Sequence, residues 1–518
     1  MFPGVKGHTV DSNAAFAFTH KGFKGEYWQD KRNSLLEFYL DYIKTFGKSS
    51  LSLMGGYSWQ HFFIEDYNYE TNFAGDKVLN AANYDPREYY LVSLFGRVNV
   101  DLGNRFLLTA TLRQDGTSRF SPDNRFGLFP AAALAFKVLD NQGKGSLSTL
   151  KLRLGYGVTG QQDIGSDYYP YLARYLGSQP NASYQLGTEY VLTLRPNGYD
   201  ANIKWEETTT YNAALDFGLF SDKLTGSVEF YDRKTKDLIN FIPVPAGTNL
   251  TNFINTNVGD FENKGWEFSL NANVLDTKKY ALTLGANATL NRNKITRLTA
   301  TDDPNYKWVF TGGIAGGVGN TIQIHSVGYP ANSFFVYEQV YDAKGVPVEG
   351  LYVDRNKDGR ITPDDRYHWK KPAPDVFYGF TFNFRYGSFD LSGGARANMG
   401  NFIYNNVLSN QTAYNNLYNA TGILRNLQAD AASIDFSVPQ YFSDHFIQDG
   451  SFVRVDHLTA GYNIQREGKR SNFRITATVQ NPLLFTQYKG IDPEIFGGID
   501  NNIYPRSRTI FLGLNANF

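Results

Sequence analysis

Three observations predict the fold class: strands that alternate apolar and polar residues, hairpins closed by a few polar residues, and long segments between those hairpins. Together they predict an all-β fold, an antiparallel transmembrane β-barrel with short periplasmic turns and long extracellular loops. The end of the chain states the pattern most plainly. Ile510, Leu512, Leu514, Ala516 and Phe518 share one face of a strand, and Thr509, Gly513, Asn515 and Asn517 share the other, with Phe511 out of step. Lipid on one side and a polar lumen on the other require such a strand. An ordinary half-buried strand reads the same way by itself, so the recurrence decides.

The alternation recurs in four hairpins. Trp266, Phe268, Leu270, Ala272 and Val274 alternate with polar residues, turn at Asp276-Thr277-Lys278-Lys279, and continue as Leu282, Leu284, Ala286, Ala288 and Leu290. Residues 211–219 and 224–230, 379–386 and 389–398, and 91–102 and 106–113 make three more pairs. Their second face is rich in Asn, Thr, Ser, Glu and Gly, which suits a hydrated interior. Segments 160–205, 291–333, 340–375 and 400–448 are the long connections. Loops of that length count against a compact soluble domain. The count comes to about 16 strands over one domain, 1–518.

Composition agrees. Fifty basic residues balance fifty acidic ones, so nothing points to nucleic acid. Cysteine is absent, which excludes disulfides and thiolate metal sites and suits a chain crossing an oxidising periplasm. Thirty-five Tyr and forty Phe suit membrane–water interfaces. No run of 18 apolar residues predicts a transmembrane helix. Residues 1–8 do not read as a secretory signal, so the expectation is the C-terminal part of a longer exported precursor.

An ordered set of segments carries a family resemblance. These are Leu112-Arg113-Gln114-Asp115-Gly116-Thr117-Ser118-Arg119-Phe120 with Asn124-Arg125-Phe126-Gly127-Leu128-Phe129-Pro130-Ala131, then the stretch 152–165 ending Thr159-Gly160-Gln161-Gln162-Asp163-Ile164-Gly165. Lys204-Trp205-Glu206-Glu207, Tyr231-Asp232-Arg233-Lys234, Asn257-Val258-Gly259, Asn263-Lys264-Gly265, Gly328-Tyr329-Pro330 and Tyr504-Pro505-Arg506-Ser507-Arg508-Thr509 follow. In this order they resemble the SusC/RagA family of TonB-dependent outer-membrane transporters. The resemblance implies a barrel of roughly 22 strands around an N-terminal plug, in the outer membrane of a Gram-negative bacterium. It implies TonB-dependent import of an oligosaccharide or, alternatively, a peptide. The implied partners are a SusD-like lipoprotein lid, the TonB complex acting through a plug not present in this chain, and outer-membrane lipid. A passive porin-like barrel and a soluble carbohydrate-binding β-protein are the competing readings.

The sharpest local motif is Asp354-Arg355-Asn356-Lys357-Asp358-Gly359-Arg360-Ile361-Thr362-Pro363-Asp364-Asp365. Asp354, Asn356, Asp358, Arg360 (through its carbonyl), Thr362 and Asp365 fall at calcium-loop positions, which predicts a structural Ca2+. A solvated acidic turn is the alternative. No enzyme is expected: seven scattered histidines, no nucleophile elbow and no paired carboxylates leave no assembled acid, base or nucleophile. Aromatic and amide residues of the long loops are the substrate candidates: Tyr168, Tyr169 and Tyr171; Asn401, Tyr404 and Asn405; Tyr414, Asn415 and Tyr418. Rings can stack on sugars and amides can meet hydroxyls, although aromatic loops also simply pack.

Overall fold

The computed structural model describes residues 6–11, 21–141, 143–165, 168–178, 183–243, 251, 253–299, 308–317, 319–418, 422–465 and 472–517. Phe518, Asp167 and Asn419 lie outside them. One sheet takes sixteen strands in strict chain order. They are β1 (Lys6–Val10), β2 (Phe23–Phe46), β3 (Ser49–Thr71), β4 (Val78–Leu102), β5 (Phe106–Thr117), β6 (Phe126–Asp140), β7 (Leu147–Gln161) and β8 (Glu206–Leu219). Then come β9 (Leu224–Lys236), β10 (Asp260–Asp276), β11 (Tyr280–Arg297), β12 (Val376–Tyr386), β13 (Phe389–Met399), β14 (Phe452–Gln465), β15 (Asn472–Thr486) and β16 (Thr509–Asn517). The sixteen strands match the number read from the sequence.

Register follows the alternation. Trp266 faces Leu290, Phe268 faces Ala288 and Leu270 faces Ala286, while Ser269 faces Asn287 and Asn271 faces Gly285. A slip of one residue would put the Asn and Ser side chains in lipid, so the pattern specifies the pairing. At the 387–388 turn, Gly387 takes φ 57°, a conformation that a side chain resists. Among the described residues, short turns at 47–48, 103–105, 220–223, 277–279 and 387–388 lie on one side of the sheet, and the excursions 72–77, 118–125, 162–205, 237–259, 298–375, 400–451 and 487–508 on the other.

The apolar face is bare. Leu154, Trp266, Phe268, Leu270, Tyr378, Phe380, Ile510 and Leu514 are exposed, and Leu512 is 83% exposed. Among the described residues no second sheet covers these side chains, as a sandwich would require. In water such a surface costs about 25 cal/mol per Å², and acyl chains remove that cost. The other face carries polar ladders: Ser227 Oγ to Ser269 Oγ at 2.7 Å and Thr459 Oγ1 to Thr478 Oγ1 at 2.9 Å. There Arg153 grips Asp216 with two bonds of 2.9 Å and reaches Glu229 at 3.3 Å.

Leu270 sits six residues from the end of β10, about 20 Å along the strand. With the usual tilt it lies near the middle of the hydrocarbon. Leu270→Arg is therefore expected to destabilise the folded barrel by about 2–4 kcal/mol. The check is the temperature at which the detergent-solubilised protein loses its folded band on unheated gels. Asn273→Arg, on the wet face, should leave that temperature nearly unchanged.

Two compact units divide the chain: Met1–Leu134, Tyr156–Thr209 and Thr235–Gly259 in one, Ala135–Gly155, Thr210–Lys234 and Asp260–Phe518 in the other. Each has a small core under its loops. In the first, Phe120, Phe129, Ile164, Ile203 and Trp205 pack together. In the second, Ile322, Phe334, Val336, Tyr404, Leu408, Ile434, Phe436 and Phe446 do.

One connection differs from the sequence reading. Segments 291–333 and 340–375 are parts of a single excursion. Ser333–Val336 between them is buried at every position and pairs within a small external sheet with Thr321–Ser326 and Tyr367–His368. A membrane strand would have kept one face open.

Candidate functional site

In the first unit the loop tyrosines serve as structure. Arg119 is buried and donates to the Gly165 carbonyl at 2.8 Å and the Gln162 carbonyl at 3.4 Å. Its guanidinium lies 4.6 Å from the Tyr89 ring centre and 5.2 Å from that of Tyr168. Tyr168 is thereby buried, Tyr169 donates its hydroxyl to the Glu88 carbonyl at 2.6 Å, and Tyr171 packs against the core. Asn257 accepts from the Lys204 amide at 2.7 Å and donates to the carbonyls of Lys204 (2.9 Å) and Asp237 (2.8 Å). Segments that looked like separate motifs thus meet in space and hold one another.

In the second unit a three-stranded sheet brings distant loops together. Phe402–Asn405 pairs antiparallel with Ile447–Asp449 and parallel with Ile499–Asp500, which sets Asn405 beside Asp500. Helix α1 (Asn406–Gln411) begins there, with the Asn405 side chain accepting from the Leu408 amide at 2.8 Å. Beside it opens a cavity of about 580 Å³, lined by Asn405, Gln411, Gln428, Asp430, Lys489, Asp500 and Asn502 over an apolar base of Val407, Leu408 and Ile491. That volume falls within the range of small-ligand sites.

Its polar groups are fixed. Lys489 Nζ lies 3.0 Å from Asp430 Oδ2. Asp500 accepts from the Tyr488 hydroxyl at 2.6 Å and the Asn502 amide at 2.9 Å. Burial, then the Asp500 carboxylate, pushes the Tyr488 phenol far up, so it stays a donor at any physiological pH. Gln428 Nε2 donates to Gln411 Oε1 at 3.1 Å. The result is a rim of amides, one carboxylate and one ion pair. Such groups both donate to and accept from hydroxyls.

The last excursion, 487–508, is pinned to β13 and β14. Arg454 Nη2 meets Asp492 Oδ1 at 2.6 Å, both side chains being 4% exposed, and Arg396 and Arg506 hold Glu494 at 2.8 and 2.9 Å. The register sets Arg396 directly opposite Arg454, and Asp492 and Glu494 offset that repulsion.

Of the nine substrate candidates, only Asn405 lines this cavity. Tyr404 is fully buried with its hydroxyl on the Tyr441 carbonyl, and Asn401 is buried and donates to the Gly450 carbonyl. Like Tyr168, they are committed to packing and cannot meet a cargo in this arrangement. Tyr414, Asn415 and Tyr418 are exposed but stand outside the cavity. The sequence reading missed Gln411, Gln428, Asp430, Lys489, Asp500 and Asn502. Only the amide-rich run 401–419 hinted at the place.

The 354–365 loop is internally satisfied. Asp354 accepts from the amides of Lys357 and Gly359, Asn356 from Asp358, and Asp358 from Arg360. Thr362 caps the short turn Pro363–Asp365. Asp365 is buried and takes the amides of Thr362, Arg355 and Asn356, which hold its carboxyl below the usual range. Among the described residues no three His, Cys, Asp or Glu side chains converge as a metal group. The loop's carboxylates and its Asn356 oxygen thus accept from the loop's own backbone amides.

Comparison with known proteins agrees with the fold. A family model described as TonB dependent receptor-like, beta-barrel matches residues 4–482. The chain is 42% identical over 532 aligned residues to TonB-dependent receptor SusC of Bacteroides thetaiotaomicron, covering 98% of this chain and 52% of that protein. It is 31% identical to TonB-dependent receptor P3 of Formosa agariphila, covering 95% and 53%. It therefore spans about half the length of these curated relatives. The RagAB peptide transporter superposes with a TM-score of 0.79 at 22% identity, over 95% of this chain and 56% of that one, a likeness of fold. Family model, relatives and strand pattern converge: the chain belongs to the TonB-dependent receptor β-barrel family, of SusC/RagA type, and is an outer-membrane protein of a Gram-negative bacterium.

Proposed function

We propose that the complete protein imports a neutral oligosaccharide across the outer membrane. TonB would energise it and a SusD-like surface lipoprotein would lid it. The amide-rimmed cavity between excursions 400–451 and 487–508 is the observation that carries this reading. A sugar presents many hydroxyls, each able to donate and accept, over apolar ring faces. Gln411, Gln428 and Asn502 answer the first, and Val407, Leu408 and Ile491 the second. The resemblance to SusC supports energised uptake. In this reading transport proceeds by binding and conformational change.

The test is calorimetry on the complete transporter in detergent, with panels of neutral oligosaccharides and of oligopeptides. An oligosaccharide series is expected to bind. Gln428→Ala should weaken it about tenfold, the loss of one to two hydrogen bonds. Binding of peptides alone overturns the reading.

A further inference from the structure

A second hollow lies beside the first. It measures about 490 Å³ and is lined by Val346, Pro347, Ile434, Ser433, His445 and Gln448, among others. Leu408, Asp430 and Lys489 line both hollows, so the Asp430–Lys489 ion pair stands between them. Each hollow sets side-chain amides beside an aliphatic wall: Gln411, Gln428 and Asn502 with Val407 and Ile491 in the first, Gln448 and Gln487 with Val346 and Pro347 in the second. A ligand with one head and one tail has no use for the repeat, whereas a chain of similar amphipathic units does.

Charge narrows the class further. Asp430 and Lys489 offset each other, and Asp500 already accepts from the Tyr488 hydroxyl and the Asn502 amide, so the linings call for no charge on the ligand. Gln448 holds the pair in place by accepting from the Lys489 amide at 3.2 Å. Burial, with the Lys489 charge second, keeps His445 below its ordinary range and hence neutral, and its Nδ1 lies 3.1 Å from the Tyr341 hydroxyl. Asp449 accepts from the Ser451 amide at 2.8 Å.

We propose that the two hollows are successive subsites of one groove, which takes a linear, neutral, hydroxyl-rich oligomer lying across the Asp430–Lys489 pair. This rests on the oligosaccharide reading and adds to it a dependence on chain length. Short oligomers occupy the first hollow, and longer ones reach the second and bind more tightly.

The experiment titrates the complete transporter with a size ladder of whichever linear oligosaccharide series binds it. Val346→Trp and, independently, Ser433→Tyr fill the second hollow. Val346 is half-buried just before the strand Pro347–Tyr352, and Ser433 is exposed on the short helix Ala431–Ile434, so the two variants perturb different elements. Each is expected to weaken the longest members at least tenfold and to leave the shortest unchanged. Ile491→Trp, in the first hollow, should weaken every length. Equal weakening at all lengths by the second-hollow variants, or none at any length, overturns the two-subsite groove and leaves the oligosaccharide reading standing. Failure of every oligosaccharide to bind the unaltered protein overturns that reading itself.

Discussion

Arg454→Met is expected to destabilise the loop side of the second unit by about 3 kcal/mol, because it removes the nearest partner of the buried Asp492 carboxylate. The pair is tight and dry: 2.6 Å, with 4% exposure on each side chain. Arg506 stays 3.5 Å from Asp492 and the Glu494 amide donates to it at 2.9 Å, so part of the compensation survives and the cost falls at the low end for a buried pair. Removing both charges should cost much less than removing one, since two apolar side chains need no partners. Arg454→Met/Asp492→Leu is therefore expected to recover most of the loss. Limited proteolysis within 487–508 measures it: rapid cleavage in the single variant, slow cleavage in the double. The same excursion supplies Lys489, Asp500 and Asn502 to the cavity, so cargo affinity should fall with the single variant and return with the double.

Trp205→Ala should cost about 3–5 kcal/mol in the first unit. Its ring packs against Phe120 at 5.8 Å and Phe129 at 5.3 Å between ring centres. Its indole N–H donates to the Arg125 carbonyl at 3.0 Å. Truncation leaves a cavity and removes one of the two donors at the Arg125 carbonyl, which keeps the Thr117 amide at 3.0 Å. Gly160 sits against the same rings, where a Cβ would collide with Phe129 and Trp205, so the core has no slack to collapse into the space. Thermal unfolding in detergent reads the loss. Trp205→Phe should lose less, since it keeps most of the volume and only the hydrogen bond goes.

The alternation of Trp266 to Leu290 placed that hairpin in its correct register, and the short turns fell where the polar residues said they would. Those features are local: a strand in lipid has its two faces written into successive residues. The family motifs were also legible, though not their purpose, which is to lock Arg119, Trp205 and Asn257 against loops far along the chain.

Aromatic side chains in long loops divide between two uses for a physical reason. A Tyr serves equally as a sugar platform and as core, and only burial separates the two uses. Tyr404 and Tyr168 went to packing, while the cavity drew on Asn405, Asp430, Lys489 and Asp500, joined by parallel pairing of residues nearly a hundred positions apart. The sequence by itself determined that this protein is a lipid-facing sheet of period-two strands with one-sided loops, because solvation is settled residue by residue. The tertiary structure alone decided where a ligand can sit. A binding cavity is made by side chains whose nearness depends on how whole loops fold back on one another.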